Sequence, residues 1–511
     1  WVRLVEAGRG GRAVEGGLEE GRRVGAGAEG ELRRLRRRRV GLARGAAGVR
    51  LLELRRLGAA LDQHPARHHR LGVGERAVED LADSYHDRYP RAKEFLDRLD
   101  RLETRMAAEP GCDCLDEYTV LQRDALVANP LVCSQPILFV VRSQYRSHYH
   151  AIDTLFHTNE FNPDRGFNHN ELFQGGGALR TIDLGKDGQL ETLVELSDGM
   201  VRDPDLHFDG DRLIFARRRN RDEDYHICEM NVDGSDLRQI TNAEGVSDFD
   251  PIYLPDDDIV FSSTREPKYN MCSRDIAANL FRMESDGANI HQITKNTLFD
   301  NHATLLPDGR ILYARWEYVD RNFGDAHGLW TVNPDGTNQA VYWGNNTAVP
   351  GAVFNAQPIP GTGRVLCVLG PHHDRLWGAL CMIDRQLGLD GRPPVLRTWP
   401  ESAADGIRAG GGFDCDFHAR TVKVKYEDPW PLSDKYFLCS KMIGQGEKTG
   451  IFLVDVFGNE LLLHAEGAGC YDPMPIAPRP RPPVIPARRD YEDSEGTIFV
   501  TDVYRGTHMH G

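Results

Sequence analysis

Short runs of alternating apolar and polar residues recur along the chain, and each is followed by a tight polar turn and a mostly apolar run. Four such stretches begin at Asp203, Asp250, Asn301 and Asp428, with the sequences DPDLHFDGDRLIFARR, DPIYLPDDDIVFSSTR, NHATLLPDGRILYARW and DPWPLSDKYFLCSK. Three of them continue into a further β-rich pair with an Asp-Gly turn, as in HICEMNVDGSDLRQIT. Because Gly adopts a positive φ without steric cost, Asp-Gly between such runs predicts a hairpin. The pattern therefore predicts a repeated four-stranded unit.

The spacing of these units predicts a closed ring of small sheets. Successive starts lie 47, 51 and 56 residues apart from Asp203 to Gln357, and 71 residues separate Gln357 from Asp428, which indicates an insertion. Four-stranded units at this spacing are typical of a β-propeller. We predict an all-β fold, a six-bladed β-propeller, with seven blades as the alternative.

The two ends of the predicted ring are less regular. An upstream unit opens with ILFVVR at Ile137, but its first strand is not obvious. The segment DPMPIAPRPRPPVIP, from Asp472, is too rich in proline for a central strand. We expect it to supply a closing strand together with GTIFVTDVY, which begins at Gly496.

The chain divides into three predicted segments. Residues 1–78 are a low-complexity segment that we expect to be disordered or wrongly translated, and the start at Trp1 indicates a fragment. Residues 79–130 form a short helical segment packed beside the propeller, and residues 131–511 form the propeller, truncated at its C-terminus. The helical prediction rests on apolar residues at helical spacing, which are Phe95, Leu96, Leu99, Leu102 and Met106.

Charge and cysteine content argue against several functions. The net charge is −15, and the first 70 residues carry +9 because they contain 17 Arg, so the remainder carries −24. An acidic remainder argues against nucleic acid as the main partner, and no apolar run is long enough to span a membrane. The ten cysteines include no CxxC or CxxCH motif, which excludes a standard zinc ribbon or c-type haem attachment within this sequence.

The two sides of the predicted disc carry different loops. With strands A to D numbered from the centre outward, the A–B and C–D turns are short, as in PDG and DGS. The B–C and D–A loops are long and rich in His, Arg, Asp and aromatic residues, as in RRRNRDEDYH and GPHHDRLWG. Long loops on one side of a rigid scaffold usually carry function, although a solvated rim is the alternative. We call the side formed by the B–C and D–A loops the loop face.

Metal-ligating residue types gather on this predicted loop face. Cys272 lies between Lys268 and Arg274, and nearby positive charge favours the thiolate, which is the form that binds metals. His, Cys and carboxylate together suit zinc or iron. The alternative for each single His is that it is a hydrogen-bonded residue at the rim of the disc. The predicted metal ligands are Cys272, His302, Asp325, His327, His373 and Asp374.

Aromatic and guanidinium side chains interleave on the same face. Such a mixture suits an anionic, planar ligand such as haem, and ordinary packing of arginine on aromatic rings is the alternative. The predicted cofactor-binding residues are Tyr145, Arg146, Tyr318, Arg321, Arg375 and Trp377.

The strand and loop sequences over residues 131–511 resemble a known family. The hydrazine synthase alpha subunit middle-domain family, many of whose sequences come from planctomycete bacteria, has runs similar to QPILFVVRSQYRS, GGALRTIDL, VRDPDLHFDGDRLIFARRR, DIVFSSTREP, LLPDGRILYARWEYVDRNFGDAHGLW and HDRLWGA. The resemblance implies a six-bladed propeller of the TolB-like or WD40-like kind.

The resemblance also carries expectations about function. In the anammox enzyme, the alpha subunit carries c-type haem and zinc and takes part in making hydrazine from nitric oxide and ammonium. It therefore implies haem c and zinc as cofactors, partner subunits or a small-molecule substrate, a periplasmic location and an oxidoreductase-type role. The alternatives are a non-catalytic TolB-like scaffold that binds a protein or glycan, and a metal-dependent polysaccharide lyase.

Overall fold

Six four-stranded antiparallel sheets form a ring, so the prediction of a six-bladed β-propeller is confirmed. The computed structural model describes residues 67–109, 114–146, 161–162, 167–168, 172–269, 276–317, 327–344, 346–409, 414–444 and 447–489. All of them belong to one compact unit.

Each blade runs from strand A at the central channel to strand D at the rim. In the order A, B, C, D, blade 1 consists of Cys470–Pro475, Ile137–Val141, Ala178–Asp183 and Gln189–Glu195. Blade 2 consists of Met200–Leu206, Arg212–Arg218, His226–Asn231 and Arg238–Gln239. Blade 3 consists of Asp248–Tyr253, Ile259–Ser263, Asn279–Met283 and His291–Gln292. Blade 4 consists of Asp300–Leu305, Ile311–Trp316, His327–Val332 and Ala340–Trp343. Blade 5 consists of Ala352–Pro358, Arg364–Gly370, Ala379–Asp384 and Val395–Trp399. Blade 6 consists of Tyr426–Pro431, Tyr436–Met442, Thr449–Asp455 and Glu460–Ala465.

Two short strand pairs lie outside the blades. Phe161–Asn162 pairs with Phe167–Asn168 in the B–C loop of blade 1, and Thr347–Val349 pairs with Arg408–Ala409 beside blade 5.

The ring closes through the C-terminal part of the chain. Strand A of blade 1 is Cys470–Pro475, which pairs antiparallel with Ile137–Val141. The prediction that this proline-rich segment is not a central strand but a closing strand is therefore confirmed, because Cys470–Pro475 lies at the edge of its sheet. An inner strand has a ladder neighbour on one side only, and proline is tolerated on such an edge. The second expected closing run, from Gly496, lies outside the described residues.

Every strand A contains an irregularity at the same position. One residue per blade adopts a left-handed conformation with φ between 45° and 55°, and the ladder to strand B shifts its register there. Asp, Asn and His tolerate this conformation better than bulky residues do, and a bulge redirects a side chain. These six residues line the central channel: Asp203, Asp250, His302, Asn355, Asp428 and Asp472.

The segment after the closing strand crosses the side of the disc that carries the short turns. The backbone N–H of Arg479 donates to the carbonyl of Phe208 at 2.9 Å, and the Arg481 guanidinium donates to Asp257 at 2.7 Å. The side opposite the loop face is therefore covered by residues 476–489 along blades 1 to 3.

Helices precede the propeller, and one further helix lies in the insertion after blade 5. They are α1 (Arg67–Tyr85), α2 (Ala92–Ala108), α3 (Cys114–Val127), α4 (Pro130–Cys133) and α5 (Phe417–Thr421). None of the helices in the described part of the chain has a stretch long and apolar enough for a membrane crossing.

The helices before the propeller pack on blade 6. Gln122 on α3 donates to the Asn459 side chain at 2.8 Å, and the Tyr436 hydroxyl donates to Asp80 on α1 at 2.9 Å. Their apolar stripe is buried as the helical spacing predicted, since Phe95, Leu99 and Leu102 are buried while Leu96 and Met106 are partly buried.

Candidate functional site

Three side chains of different donor type meet on the loop face beside blade 5. His373, Cys415 and Asp416 each offer one ligand atom, and these atoms lie within 4.8 Å of one another. His373 Nδ1 lies 2.7 Å from an Asp416 carboxylate oxygen, and the other Asp416 oxygen accepts the backbone N–H of His373 at 2.9 Å. The imidazole orientation is therefore fixed by Asp416.

Two loops bring this cluster together. His373 lies in the B–C loop of blade 5, whereas Cys415 and Asp416 lie in the insertion 400–425 that precedes strand A of blade 6. The His372 N–H donates to the Cys415 carbonyl at 2.9 Å, which joins the two loops. Gly351 permits this approach, because a Cβ there would lie 1.8 Å from the Cys415 oxygen.

The cluster combines a buried thiol with partly exposed polar groups. Cys415 is 3% exposed, whereas the His373 side chain is 28% exposed. Burial raises the pKa of Asp416, but hydrogen bonds from the His373 side chain and backbone outweigh it, so the net pKa lies below its usual value. Asp416 is therefore an anion at neutral pH.

A row of rings connects this cluster with the central channel. His302 and His327 both contact the buried Phe354 ring, at centroid distances of 5.8 and 5.2 Å. His327 and His372 both contact Trp316, at 6.1 and 4.9 Å, and His372 lies 4.7 Å from His373. Three predicted ligands, His302, His327 and His373, thus lie along one row, with aromatic rings between them.

The predicted ligands do not all converge on one point. His373 is the predicted ligand that belongs to the described three-residue cluster. Asp374 instead accepts the Trp377 indole N–H at 2.7 Å. Cys272 and Asp325 lie outside the described residues, so their part in a metal site stays a prediction.

The predicted cofactor-binding residues separate into two places. Arg375 packs on the Trp377 ring and forms an ion pair with Glu447 at 2.7 Å, near the blade 5 loop. Tyr145 is 5% exposed in the wall of the central channel, and Arg146 beside it is exposed. Tyr318 and Arg321 lie outside the described residues.

The central channel contains a polar cavity of about 80 Å³. The six left-handed residues of the inner strands line it, together with Tyr145, Glu427 and three arginines. The Arg142 guanidinium lies between the rings of Tyr145 and Tyr471, with its carbon 3.6 Å from each centroid. The cavity is thus walled by rigid, stacked side chains.

Burial shifts the acidities in this cavity. Burial, with Asp428 nearby, raises the pKa of Glu427 to about 8. Burial also raises the pKa of Asp250, next to Asp203, and of Asp472, next to Asp428. It lowers the pKa of His302 to about 4, so this imidazole is neutral at physiological pH.

Sequence reasoning missed Cys415 and Asp416. The 71-residue interval before Asp428 indicated an insertion, and DCDFH within it contains a thiol between two carboxylates. That run lies about forty residues from His373, and no metal-binding motif has this spacing, so only the fold brings the two segments together.

No family model and no curated protein matches the chain. Among solved structures, hydrazine synthase from Kuenenia stuttgartiensis superposes with a TM-score of 0.52 and 19% identity, over 69% of this chain and 48% of that chain. The chain thus spans about half the length of that protein. At this identity the likeness shows the fold alone, a propeller.

Two further propeller structures give lower TM-scores. TolB from Acinetobacter baumannii has a TM-score of 0.37 and 14% identity, over 67% of this chain and 66% of that chain. The β-propeller domain of the Trilobed protease from Pyrococcus furiosus has a TM-score of 0.32 and 14% identity, over 57% of this chain and 76% of that chain.

Proposed function

We propose that this propeller holds a transition-metal ion between His373, Cys415 and Asp416 on its loop face, and that the metal serves chemistry on a small molecule. The observation that carries the proposal is the meeting of imidazole, thiol and carboxylate ligand atoms within 4.8 Å. Imidazole, thiolate and carboxylate are the donors that zinc takes in proteins.

The three donors found among the described residues favour a reactive metal over a structural one. Structural zinc sites are closed by four protein ligands, whereas catalytic sites have three and keep one position for water or substrate. The partly exposed side of His373 gives this position access to the loop face. A metal bound there would polarise a substrate oxygen or lower the pKa of a bound water.

The surrounding residues would keep the ligands in place. The carboxylate of Asp416 holds the His373 ring at Nδ1, as carboxylates commonly do for metal-binding imidazoles. The bond from His372 N–H to the Cys415 carbonyl keeps the thiol next to that ring. Zinc itself has no redox chemistry, so the oxidoreductase-type role implied by the family resemblance would need a redox-active metal such as iron at this site, or the haem that the resemblance also implies.

We further propose a periplasmic location. Cys114 is disulfide-bonded, and disulfides persist in oxidising compartments. The haem implied by the resemblance stays a prediction, because Tyr145 and Arg375 lie in separate places with their own partners.

Metal analysis of the purified protein tests the proposal. We expect about one equivalent of zinc or iron per chain, and Cys415→Ser or His373→Ala should remove most of it. Cys133→Ser is the matched control, since this half-buried thiol is the last residue of helix α4, away from the cluster. A metal-free wild-type protein after zinc and iron supplementation, or equal metal content in Cys415→Ser, would refute the site.

The second candidate is a binding scaffold without catalysis. It is favoured by the central cavity, which exists independently of the metal cluster. A scaffold would bind its partner equally well in the wild type and in Cys415→Ser, whereas metal-dependent chemistry would be lost in that variant.

A further inference from the structure

The central cavity presents hydrogen-bond acceptors from equivalent positions of the six blades. The left-handed residue of each strand A reaches it, and four of these six residues are Asp. Some of the carboxylates connect neighbouring blades, since Asp203 accepts the Asp250 N–H at 3.2 Å and Asp428 accepts the Asp472 N–H at 3.2 Å. These hydrogen bonds use some of the acceptor oxygens that the six residues offer.

With every acidic side chain ionised, the charges that line the cavity would not balance. Six carboxylates and three arginines line it. Arg202 donates to Asp203 at 2.6 Å, and Arg479 donates to both Asp205 oxygens at 2.8 Å. These two arginines therefore each neutralise one carboxylate.

The third arginine leaves three carboxylates without a cationic partner. Arg142 lies nearest to Glu427, at 3.9 Å. Asp250 and Asp428 are bonded to backbone N–H and serine hydroxyl groups, whereas the Asp472 carboxylate forms no hydrogen bond or ion pair with the described residues. Burial raises the pKa of Asp250 and Asp472, so these carboxylates take up protons unless a cation replaces them, and a cation in the cavity would be stabilising.

His302 provides an independent sign of a ligand. Only 9% of it is exposed, and its Nδ1 lies 3.1 Å from the Asn301 side-chain oxygen. With the Asn301 amide oriented so that its oxygen faces Nδ1, Nδ1 carries the proton and Nε2 is an acceptor. Nε2 has no partner among the described residues and belongs to a side chain that lines the cavity. Nε2 can therefore accept a hydrogen bond from a ligand in the cavity.

The spacing of the acceptors selects the kind of cation. No three acidic or imidazole groups of the cavity bring ligand atoms within 4.8 Å of one another, a criterion met in the described chain by the His373 cluster. A bare metal ion needs at least three converging protein ligands, whereas two acceptors are enough to hold an ammonium group. Apolar side chains of Ile252, Leu376 and Met474 also line the cavity and suit the hydrocarbon part.

We propose that the central cavity binds a small protonated alkylamine, which donates hydrogen bonds to Asp472 and to Nε2 of His302. A cavity of about 80 Å³ has room for roughly half a dozen water-sized groups, so the ligand is a short amine rather than a peptide. This site is separate from the metal cluster, and its test does not depend on the metal.

Calorimetric titration of the full chain with propylammonium chloride tests this proposal. We expect saturable binding by the wild type and an affinity at least about tenfold weaker in Asp472→Asn, because a charge-assisted hydrogen bond is lost. Asp209→Asn is the matched control, since this carboxylate is 66% exposed in a short turn of blade 2. The affinity of this variant for propylammonium should equal that of the wild type. The uncharged 1-propanol should not bind.

A second variant keeps the outcome decisive. If Asp472→Asn fails to fold, His302→Gln replaces it, and the same loss of affinity is expected. Absence of propylammonium binding to the wild type, unchanged affinity in the folded variants, or binding of Ca²⁺ in place of the amine would each overturn the proposal.

Discussion

Single residues in the channel determine how the stability of this protein depends on pH. Glu427 is 3% exposed, and burial raises its pKa to about 8 from an ordinary value of 4.5. The folded state therefore keeps a proton that the unfolded chain has released. The stabilisation is complete below pH 4.5, and it is lost as the pH rises through about 8.

Glu427→Gln should remove this contribution. Between about pH 5 and pH 8, the free energy of unfolding of the wild type should fall relative to the variant by up to about 1.4 kcal/mol per pH unit. Urea unfolding at several pH values measures the difference. Glu195→Gln, at a side chain 68% exposed, is the control without a slope change. Parallel curves for Glu427→Gln and the wild type would show that Glu427 titrates normally.

At the same scale, the sequence could predict which residue types a single loop carries. It could not predict which residues of different loops the fold brings together. His373 was chosen as a ligand because of its loop and residue type, and its ligand atom lies within 4.8 Å of those of Cys415 and Asp416, while its metal-binding role stays a prediction. Its partners Cys415 and Asp416 belong to another loop, so their proximity is a property of the ring. Asp374, adjacent in sequence, is directed to Trp377 by its left-handed backbone with φ 107°.

At the scale of elements, the helices stabilise the propeller by burying one face against blades 1 and 6. Leu121 on α3 is 1% exposed and belongs to the core that joins the helices to these blades, whereas its neighbour Val120 is 53% exposed.

Leu121→Ala should therefore lower the free energy of unfolding by about 2–5 kcal/mol, which is typical of large-to-small changes in a core. Val120→Ala, one position away, should change it by less than about 0.5 kcal/mol. Chemical denaturation of both variants makes the comparison. Equal effects would mean that α3 does not pack against the propeller as described.

The strand pattern was predictable because Asp-Gly turns and alternating residues are local signals. The first strand of blade 1 was not, since its partner Ile137–Val141 lies more than three hundred residues earlier in the chain. Pro473 and Pro475 lie on its single-sided inner edge, where proline costs no ladder hydrogen bond. The proline content therefore argued against a central strand, whereas the closed ring uses this segment as an edge strand.

At the scale of the whole molecule, ring closure depends on Cys470–Pro475. A chain ending at Gly469 lacks strand A of blade 1 and exposes the edge of Ile137–Val141. We expect this variant to lose the cooperative unfolding transition and to aggregate, because an open sheet edge pairs with other chains.

A chain ending at Arg489 is the matched control, since it retains every described contact of the closing strand. It should unfold cooperatively. Thermal unfolding followed by circular dichroism, together with size-exclusion chromatography, compares the two. Cooperative unfolding of a soluble chain that ends at Gly469 would contradict the role of this strand in closure.

The ring also explains why chemistry gathers on one side. Short turns and the segment 476–489 lie on one side, while the loops that carry His373, Cys415 and Asp416 lie on the other. The sequence predicted this division from loop lengths alone. It did not predict the cavity, because the inner residues of six blades meet only when the ring closes.

X-ray absorption at the metal edge of the purified protein tests the metal site most directly. With zinc bound, the account predicts one sulfur scatterer at about 2.3 Å and nitrogen or oxygen scatterers at about 2.0–2.2 Å, with the sulfur absent in Cys415→Ser. A shell without sulfur in the wild type, or an unchanged sulfur shell in Cys415→Ser, would contradict it.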